Sequence, residues 1–220
     1  MRGRRACLWT GCAGLLLAGG ATGVQPAGPE RAGAAAVNPG CFEKATAATA
    51  RRAAGRPRPS YAIGDSVMVY SVAPLAELGF DADARPCRSF KDAQRMIALK
   101  ARHRTLPAVV VIALGANGPF TVKDIQRVLR IIGPGRRLGL LTARFSGDRP
   151  GYGAAAIHTA GRIYARRVRV LDWVARSTGH PDWFAPDGVH LASPAGIEAY
   201  TDLIRSAHRR GDDAPPGEPR

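Results

Sequence analysis

Near its N-terminus the sequence lacks an apolar run long enough to hold the chain in a bilayer, since the run at residues 13–18 is far shorter than a membrane span. Acidic residues are also scarce, with 17 of them against 32 basic residues and a formal net charge of +15. No block of basic residues alternates with aromatic residues, so we do not expect nucleic acid as a partner. The charge is compatible with an anionic cell-wall polymer as a partner.

Cysteine is rare, with four residues in the whole chain. The first 23 residues combine an arginine-rich start, a short apolar stretch and small residues, a pattern typical of a secretory signal peptide. Cleavage near Gly23 leaves only Cys41 and Cys87, and two cysteines in an exported chain predict one disulfide, with two unrelated buried thiols as the alternative. We therefore expect a secreted or cell-wall protein with no transmembrane segment in its mature chain.

Histidine is also rare, and its spacing matches no metal site. The chain has five histidines, four of which show no pairing at the spacing of metal ligands: His103, His158, His180 and His208. We therefore expect neither a metal nor another cofactor, and we expect surface or capping roles for these four side chains.

Composition divides the rest of the chain into three parts. Residues 24–59 are rich in Ala, Gly and Pro and are predicted to form a linker and N-terminal extension, in which residues 42–54 favour a short helix. Residues 60–208 carry the apolar patterns of a folded domain. The polar tail at residues 209–220 contains several prolines and is predicted to be disordered.

Within the folded part, patterns typical of strands and of helices alternate. Strands are predicted at residues 61–63, 80–84, 108–114, 137–142 and 168–173, and helices at residues 67–78, 90–104, 121–132, 154–165 and 195–208. The segment 177–194 is predicted to be irregular. Such alternation implies an α/β fold with a central parallel sheet of about five strands, covered by helices on both faces.

A sharp turn, Gly64-Asp65-Ser66, follows the first of these strands. A residue there lies at the carboxyl edge of the sheet, where open α/β folds bind ligands, and near the positive end of a helix dipole. Ser66 is therefore a candidate nucleophile, with Gly64 and Asp65 shaping its turn. A serine in such a turn is also very often a helix N-cap, so this motif alone does not decide its role.

Two other segments supply polar side chains suited to the same edge. Asn117 and Gly115 follow the most hydrophobic strand, and the amide of Asn117 is suited to stabilise an oxyanion, although Asn-Gly is also a common turn. Asp187 and His190 are three residues apart before the last helix, so the carboxylate can orient an imidazole that accepts the serine proton. Asp172, at the end of a strand, is an alternative partner for this imidazole.

These motifs carry a family resemblance. Gly64-Asp65-Ser66, Gly115-Ala116-Asn117 and Asp187-Gly188-Val189-His190, in this order and spacing, resemble three of the four sequence blocks of the SGNH (GDSL-type) hydrolases. More narrowly, the segments around them are similar to the extracytoplasmic SGNH domains of peptidoglycan O-acetyltransferases, and the similarity runs from about residue 61 to residue 208. The resemblance implies a three-layer α/β/α, flavodoxin-like fold without a metal, and a catalytic triad of Ser66, His190 and Asp187.

The same resemblance implies an oxyanion hole formed by the backbone N–H of Ser66 and the amide of Asn117. The second block departs from the common family pattern, because the glycine expected there is missing. The backbone N–H of Arg88 or of Ser89 is the candidate for the remaining donor. A disulfide between the two remaining cysteines, at positions 41 and 87, would brace this loop.

Together these features predict a secreted, serine-dependent hydrolase that cleaves O-acyl esters, acetyl esters above all, of cell-wall carbohydrate or of a small molecule through an acyl-enzyme on Ser66. An O-acetyltransferase acting on peptidoglycan or polysaccharide is the first alternative. A non-catalytic cell-wall-binding domain with the same fold is the second. Trp173 and Trp183 are predicted either to line an acyl or sugar pocket or to pack under the last helix.

Overall fold

The structure, a computed structural model, describes residues 46–49 and 58–208. The predicted signal peptide at residues 1–23, most of the predicted linker and the predicted tail at residues 209–220 lie outside the described residues. In the part that is described, no helix has both the length and the apolar character needed to cross a membrane.

The secondary structure alternates between strands and helices along most of the chain. The strands are β1 (Thr46–Ala48), β2 (Ser60–Gly64), β3 (Phe80–Ala84), β4 (Val109–Ala113), β5 (Arg137–Leu141), β6 (Arg144–Phe145), β7 (Arg149–Pro150) and β8 (Val168–Leu171). The α-helices are α1 (Val72–Glu77), α2 (Phe90–Arg102), α3 (Val122–Ile132), α4 (Ala154–Ile163), α5 (Trp173–Ser177) and α6 (Pro194–Arg205). Short 3₁₀ helices cover Ser66–Ser71, Pro181–Trp183 and Ser206–His208.

Six strands form the central sheet in the order β1-β3-β2-β4-β5-β8. All neighbouring pairs are parallel except β1 and β3, which are antiparallel. Strand β4, with the sequence Val-Val-Val-Ile-Ala, is buried along its whole length, as expected for a β-branched strand covered on both faces. The predicted α/β fold is confirmed, with six strands in the described sheet instead of about five.

Helices cover both faces of the sheet. Apolar side chains of α1, α5 and α6 pack on one face, and those of α2, α3 and α4 pack on the other. Trp173 and Trp183 stack in the first of these layers, with ring centroids 5.8 Å apart, and Trp173 meets Tyr200 of α6 edge to face. Both tryptophans are buried, so packing under the last helix is their role, the second of the two alternatives.

Local sequence signals set where several helices begin. Ser89 and Thr121 each accept a hydrogen bond from the backbone three residues later, and Asp92 and Asp124 return one, which closes a capping box at the start of α2 and of α3. The side chain of Ser193 accepts the Gly196 backbone N–H and so caps α6, and a proline follows it in the first turn. These caps fix the direction in which each helix leaves its loop.

The helix predicted at residues 42–54 is wrong where the structure describes that segment. Thr46–Ala48 is a strand that pairs with β3. A short Ala-rich helix is marginally stable in water, because the free energy lost in nucleating it exceeds what a few turns of hydrogen bonds contribute. The exposed edge of β3, in contrast, offers backbone groups with which this segment can form inter-strand hydrogen bonds. The predicted domain boundary at residue 60 therefore leaves out one strand of the sheet.

Two further boundaries differ from the prediction. The predicted helix at residues 67–78 begins as the 3₁₀ helix Ser66–Ser71 and becomes α-helical only at Val72. The predicted strand at residues 168–173 ends at Leu171, because the side chain of Asp172 accepts a hydrogen bond from the Ala175 backbone N–H and so caps α5.

Candidate active site

Three segments that are far apart in the sequence meet at the carboxyl edge of the sheet. Ser66 follows β2, and Asn117 lies four residues beyond the end of β4, the parallel neighbour of β2. Asp187 and His190 belong to the loop that precedes α6. Parallel neighbours end at the same edge of a sheet, so two of the three segments are brought together by strand pairing alone.

The hydroxyl of Ser66 lies next to the imidazole of His190. The Ser66 Oγ is 2.9 Å from the His190 Nε2, and the other ring nitrogen, Nδ1, is 2.6 Å from Oδ2 of Asp187. Both distances are those of hydrogen bonds. Serine, imidazole and carboxylate thus form one continuous chain of contacts.

The turn that contains Asp187 and His190 is held by the carboxylate itself. Oδ1 of Asp187 accepts the backbone N–H groups of Val189 and His190, at 2.8 and 3.0 Å. Gly188 adopts a positive φ of 66°, which suits glycine and lets the chain turn back on the carboxylate. Partial burial acts to raise the pKa of Asp187, but the hydrogen bonds from His190 and Val189 prevail and lower this pKa to about 2.

Asp65 lies beneath the candidate nucleophile and is almost fully buried, with 2% of its surface exposed. Its Oδ1 accepts the backbone N–H of Val67 at 3.1 Å, and its Oδ2 is 3.4 Å from the side-chain amide nitrogen of Asn117. Burial raises the pKa of Asp65 to about 6, although the backbone N–H groups of Val67 and Ala116 act to lower it. Asp65 therefore ties the serine turn to the asparagine loop.

Gly115 is required by the close approach of two loops. Its φ is +142°, and a Cβ on this residue would lie 2.6 Å from the carbonyl oxygen of Tyr152. The Tyr152 backbone N–H also donates to the carbonyl of Gly115, at 2.9 Å. The loop with Asn117 is thereby fixed against the segment that leads into α4.

The two candidates for the remaining oxyanion donor are engaged elsewhere. The backbone N–H of Arg88 donates to the carbonyl of Arg85 at 3.3 Å. The backbone N–H of Ser89 donates to Asp92 at 2.9 Å, as part of the capping box of α2. In this geometry neither N–H is available to an oxyanion, which corrects the expectation for this loop.

Arg88 contributes through its side chain instead. The guanidinium is buried and donates to the carbonyls of Gly64 and Asp83, at 3.1 and 2.6 Å, and to Oδ1 of Asp83 at 2.7 Å. It therefore links the end of β2, immediately before the serine turn, to the end of β3. The glycine missing from the second sequence block was the signal that this loop differs from the common family pattern.

Cys87 lies in the loop between β3 and α2. Cys41, the partner predicted from the cysteine count, lies outside the described residues, so the pairing of these two cysteines stays a prediction. Cys87 has a positive φ of 58°, which places a tight turn just before Arg88.

Asp172, the alternative partner for His190, lies in a different cluster. Its Oδ1 accepts the hydroxyl of Thr142 at 2.9 Å and the N–H of Ala175 at 3.1 Å, and its Oδ2 is 3.4 Å from Nε2 of His158. These contacts hold the start of α5. The alternative is therefore wrong, and the carboxylate that contacts His190 belongs to Asp187.

Three of the other histidines pack against a ring or pair with a single acid, and His103 is exposed at the C-terminal end of α2. His180 stacks on Trp183 at a centroid distance of 3.9 Å, and His208 meets Phe80 edge to face at 4.7 Å. Within residues 46–49 and 58–208, no group of three or more His, Cys, Asp or Glu side chains is arranged to hold a metal ion.

Arg144 is a contributor to the site that the sequence did not reveal. Its buried guanidinium donates to the carbonyl of Gly188, between Asp187 and His190, and forms an ion pair with Asp148 at 2.6 Å. The same group lies over the ring of Phe184, 3.9 Å from its centroid. No local pattern marks Arg144, because it acts on a turn 44 residues away in the sequence.

A cavity of about 630 Å³ opens beside Ser66 and His190. Its other lining side chains are mostly apolar and come from the 3₁₀ helix Ser66–Ser71, the loop before α2, the loop before α6 and the start of α6: Val69, Tyr70, Pro86, Ala185, Leu191, Ala192, Pro194 and Ile197. Tyr70 exposes 61% of its surface at the mouth of this cavity. The cavity is large enough for a small acyl group together with part of an alcohol such as a sugar.

Comparison with known proteins identifies the relatives of this chain. No protein-family model matches it. It is 33% identical over 149 residues to the O-acetyltransferase OatA of Staphylococcus aureus, a match that covers 64% of this chain and 24% of that protein. It is 31% identical over 147 residues to the peptidoglycan O-acetyltransferase OatA of Listeria monocytogenes, covering 66% of this chain and 23% of that protein.

The solved structure of the C-terminal catalytic domain of peptidoglycan O-acetyltransferase A (OatA) from Streptococcus pneumoniae, with a methylsulfonyl adduct, superposes with a TM-score of 0.56 at 26% sequence identity. That match covers 70% of this chain and 93% of the solved chain. This chain is a homologue of the OatA catalytic domain. The predicted resemblance to SGNH-type domains is thereby confirmed, and so is the fold. The chain spans about a quarter of the length of the curated relatives it matches.

Proposed function

We propose that the chain is a serine-dependent enzyme that breaks an O-acyl ester, an acetyl ester above all, through an acyl-enzyme on Ser66. The observation that carries this proposal is the contact of 2.9 Å between the Ser66 Oγ and the His190 Nε2. An imidazole at this distance can take the hydroxyl proton as the oxygen attacks a carbonyl carbon. The short contact between Asp187 and the Nδ1 of the same ring favours the tautomer with its proton on Nδ1, which leaves Nε2 facing the hydroxyl as the acceptor.

The reaction proceeds in two steps. In the first, Ser66 Oγ bonds to the carbonyl carbon while its proton moves to His190 Nε2, and the departing alcohol then takes that proton. In the second, water attacks the acyl-enzyme, His190 accepts a proton from it, and the acid leaves as Ser66 recovers its hydrogen. Asp187 stabilises the imidazolium that exists in both steps. The backbone N–H of Ser66 and the amide of Asn117 are the proposed donors to the oxyanion.

The alternative acceptor in the second step is a sugar hydroxyl, which would make the enzyme an O-acetyltransferase. Homology to the OatA proteins favours this candidate. The exposed ring of Tyr70 at the cavity mouth offers a surface on which a sugar ring can stack. Hydrolysis remains the first candidate because the cavity beside Ser66 is open to water. Acylated cell-wall carbohydrate is the proposed substrate class for the hydrolase and for the transferase. The N-terminal sequence pattern supports action outside the cytoplasm.

A fluorophosphonate probe tests the nucleophile. We expect the folded protein to be labelled, and we expect Ser66→Ala to abolish the labelling. Ser71→Ala is the matched control, because Ser71 lies on the same 3₁₀ helix with a buried hydroxyl that has no hydrogen-bond partner among the described residues. If the folded wild-type protein is not labelled, the non-catalytic wall-binding domain becomes the better hypothesis. If Ser66→Ala is still labelled, another residue is the nucleophile.

A second assay separates hydrolysis from transfer. Release of 4-nitrophenol from 4-nitrophenyl acetate is followed with and without a chito-oligosaccharide, and the sugar is examined by mass spectrometry. Hydrolysis gives acetate and an unmodified sugar. Transfer gives a sugar that is heavier by one acetyl group, and this product must disappear in Ser66→Ala.

A further inference from the structure

A basic groove crosses the last strand of the described sheet, away from the Ser66 cavity. Strand β8 has β5 on one side and no neighbouring strand among the described residues on the other. A cavity of about 450 Å³ runs over this open edge, from the side of α4 to the C-terminal end of the described chain. Its lining includes six cationic or titratable side chains and no acidic one: Arg137, His158, Arg162, Arg166, Arg167 and Arg169. We call this cavity the β8 groove.

Some of these cations have partners that fix them in place. Arg167 donates to the carbonyl of Leu129 at 3.1 Å and to that of Arg136 at 3.4 Å, so its guanidinium serves the end of α3. Arg137 donates to the carbonyl of His208 at 3.1 Å. His158 faces Asp172. The charges of Arg167 and Arg137 still act on the groove, but some of their N–H groups already donate to backbone carbonyls.

The other three arginines have no carboxylate within ion-pair distance among the described residues. Among the described residues the side chain of Arg162 bonds to the neutral hydroxyl of Thr159 alone, at 3.1 Å, and Arg162 and Arg166 are exposed at the wall of the groove. Arg169 differs, because its Nε is buried and has no hydrogen-bond partner among the described residues. A buried N–H of a charged group without a partner is costly, and a ligand that supplies an acceptor removes this cost.

We propose that the β8 groove binds a phosphate group of an anionic polymer, with Arg169 at its base and Arg162 and Arg166 at its wall. A guanidinium offers paired N–H donors that match the oxygens of such an anion. A phosphate linked within a polymer carries one negative charge, as a carboxylate does, but its oxygens are arranged tetrahedrally, so they can accept from guanidinium groups at the base and at the wall of the groove at the same time. The groove is also much larger than one phosphate, which favours a chain of them. This proposal does not depend on the ester chemistry at Ser66.

Isothermal titration calorimetry with linear polyphosphate tests the proposal on the full chain. We expect polyphosphate to bind more tightly than inorganic phosphate, and the affinity to fall as sodium chloride is added, since salt screens exposed charges. The double variant Arg166→Gln with Arg169→Gln should weaken binding by about tenfold or more, because it removes two charge-assisted contacts.

The control must lose the same charge elsewhere. Arg95→Gln with Arg127→Gln removes two charges from exposed side chains on α2 and α3, and both capping boxes remain intact. If folding of the Arg169 variant is impaired, Arg162→Gln with Arg166→Gln replaces it, because both side chains are exposed.

Four results decide the matter. A loss of affinity in the groove variants, with the control close to wild type, supports the site. An equal loss in the control overturns it, since binding would then follow net charge alone. Equal or tighter binding of poly-L-glutamate overturns the assignment to phosphate. Tighter binding of a single-stranded oligonucleotide than of polyphosphate means that the bases contribute, and it overturns the proposal in favour of a nucleic-acid site.

Discussion

Arg144 is a buried cation that contacts the turn between Asp187 and His190. Its hydrogen bond to the Gly188 carbonyl lies between Asp187 and His190, so any shift of the guanidinium moves both. Asp148 balances its charge, and the ring of Phe184 covers its face. We infer that Arg144 is a positioning residue for the proposed catalytic pair.

Arg144→Gln should therefore lower kcat for 4-nitrophenyl acetate by roughly ten- to hundred-fold with little change in KM, because small displacements of reacting groups have effects of this size. Steady-state kinetics measures kcat and KM, and the rate of fluorophosphonate labelling measures the reactivity of Ser66. Arg149→Gln is the control, since the side chain of this exposed arginine donates to the Ser146 carbonyl in the same loop and to no other described residue. An unchanged kcat in Arg144→Gln would show that the turn keeps its shape without the guanidinium.

Asp65 shows how burial at the site links stability to pH. Its pKa is about 6 in the folded protein and near 4 in an unfolded chain, so the fold favours the protonated form. The contribution of this group to stability is complete below about pH 4 and is lost as the pH rises through about 6. The lowered pKa of Asp187 acts in a separate window, below pH 4.

Compared with Asp65→Asn, the wild-type protein should lose stability between pH 4 and pH 7, by about 3 kcal/mol at most for a shift of this size. Urea unfolding of both proteins at the two pH values measures it, and the comparison cancels groups that the two proteins share. The asparagine oxygen can still accept the Val67 N–H. A difference in unfolding free energy that is independent of pH would mean that Asp65 ionises normally in the folded protein.

At the scale of elements, the junction between β2 and the 3₁₀ helix Ser66–Ser71 determines where the Ser66 side chain lies. The strand ends at Gly64, and the chain turns so sharply that a Cβ there would be 2.4 Å from the Cβ of Met68. Met68 is fully buried, so it has little freedom to move aside. Glycine at this position is thus a requirement of the junction.

Gly64→Ala should lower the free energy of unfolding by about 1–3 kcal/mol, the usual cost of forcing an extra group into a packed core. It should also slow fluorophosphonate labelling, because the displaced helix carries Ser66. Gly135→Ala is the matched control, since its added Cβ meets no atom within 4 Å. Equal stability of the two variants in urea unfolding would show that the junction yields at no cost.

At the scale of the whole molecule, the N-terminal segment takes part in the fold. Strand β1 covers the edge of β3 along three residue pairs, and Ala48 packs against the apolar layer of α1 and α6. An uncovered strand edge invites pairing with another chain. The described sheet therefore includes a strand contributed by the segment before the predicted domain boundary.

A truncated chain that begins at residue 58 should melt several degrees below one that begins at residue 42 and should aggregate more readily. Both lack Cys41, so the comparison does not involve the predicted disulfide. Thermal unfolding and dynamic light scattering measure the two effects. Identical melting temperatures and particle sizes would indicate that β1 contributes nothing to the stability of the sheet.

The sequence by itself determined the features that depend on neighbouring residues. The β-branched run of β4 and the glycine turn before Ser66 each act within a few residues, so their patterns predicted a strand and a polar sheet edge. Asp187 and His190 are close enough in sequence to suggest a pair. Their order and spacing with Ser66 and Asn117 carried the resemblance that the homologues confirm.

Only the tertiary structure decided the contacts between distant segments. Ser66 and His190 are 124 residues apart, and Arg144 reaches a turn 44 residues away. The helix expected at residues 42–54 gave way to a strand because the edge of β3 offered hydrogen bonds that no local pattern reveals. Helix and strand propensities depend on residues that are close in the sequence. Strand pairing, burial and the placement of charges depend on which distant segments the fold brings together.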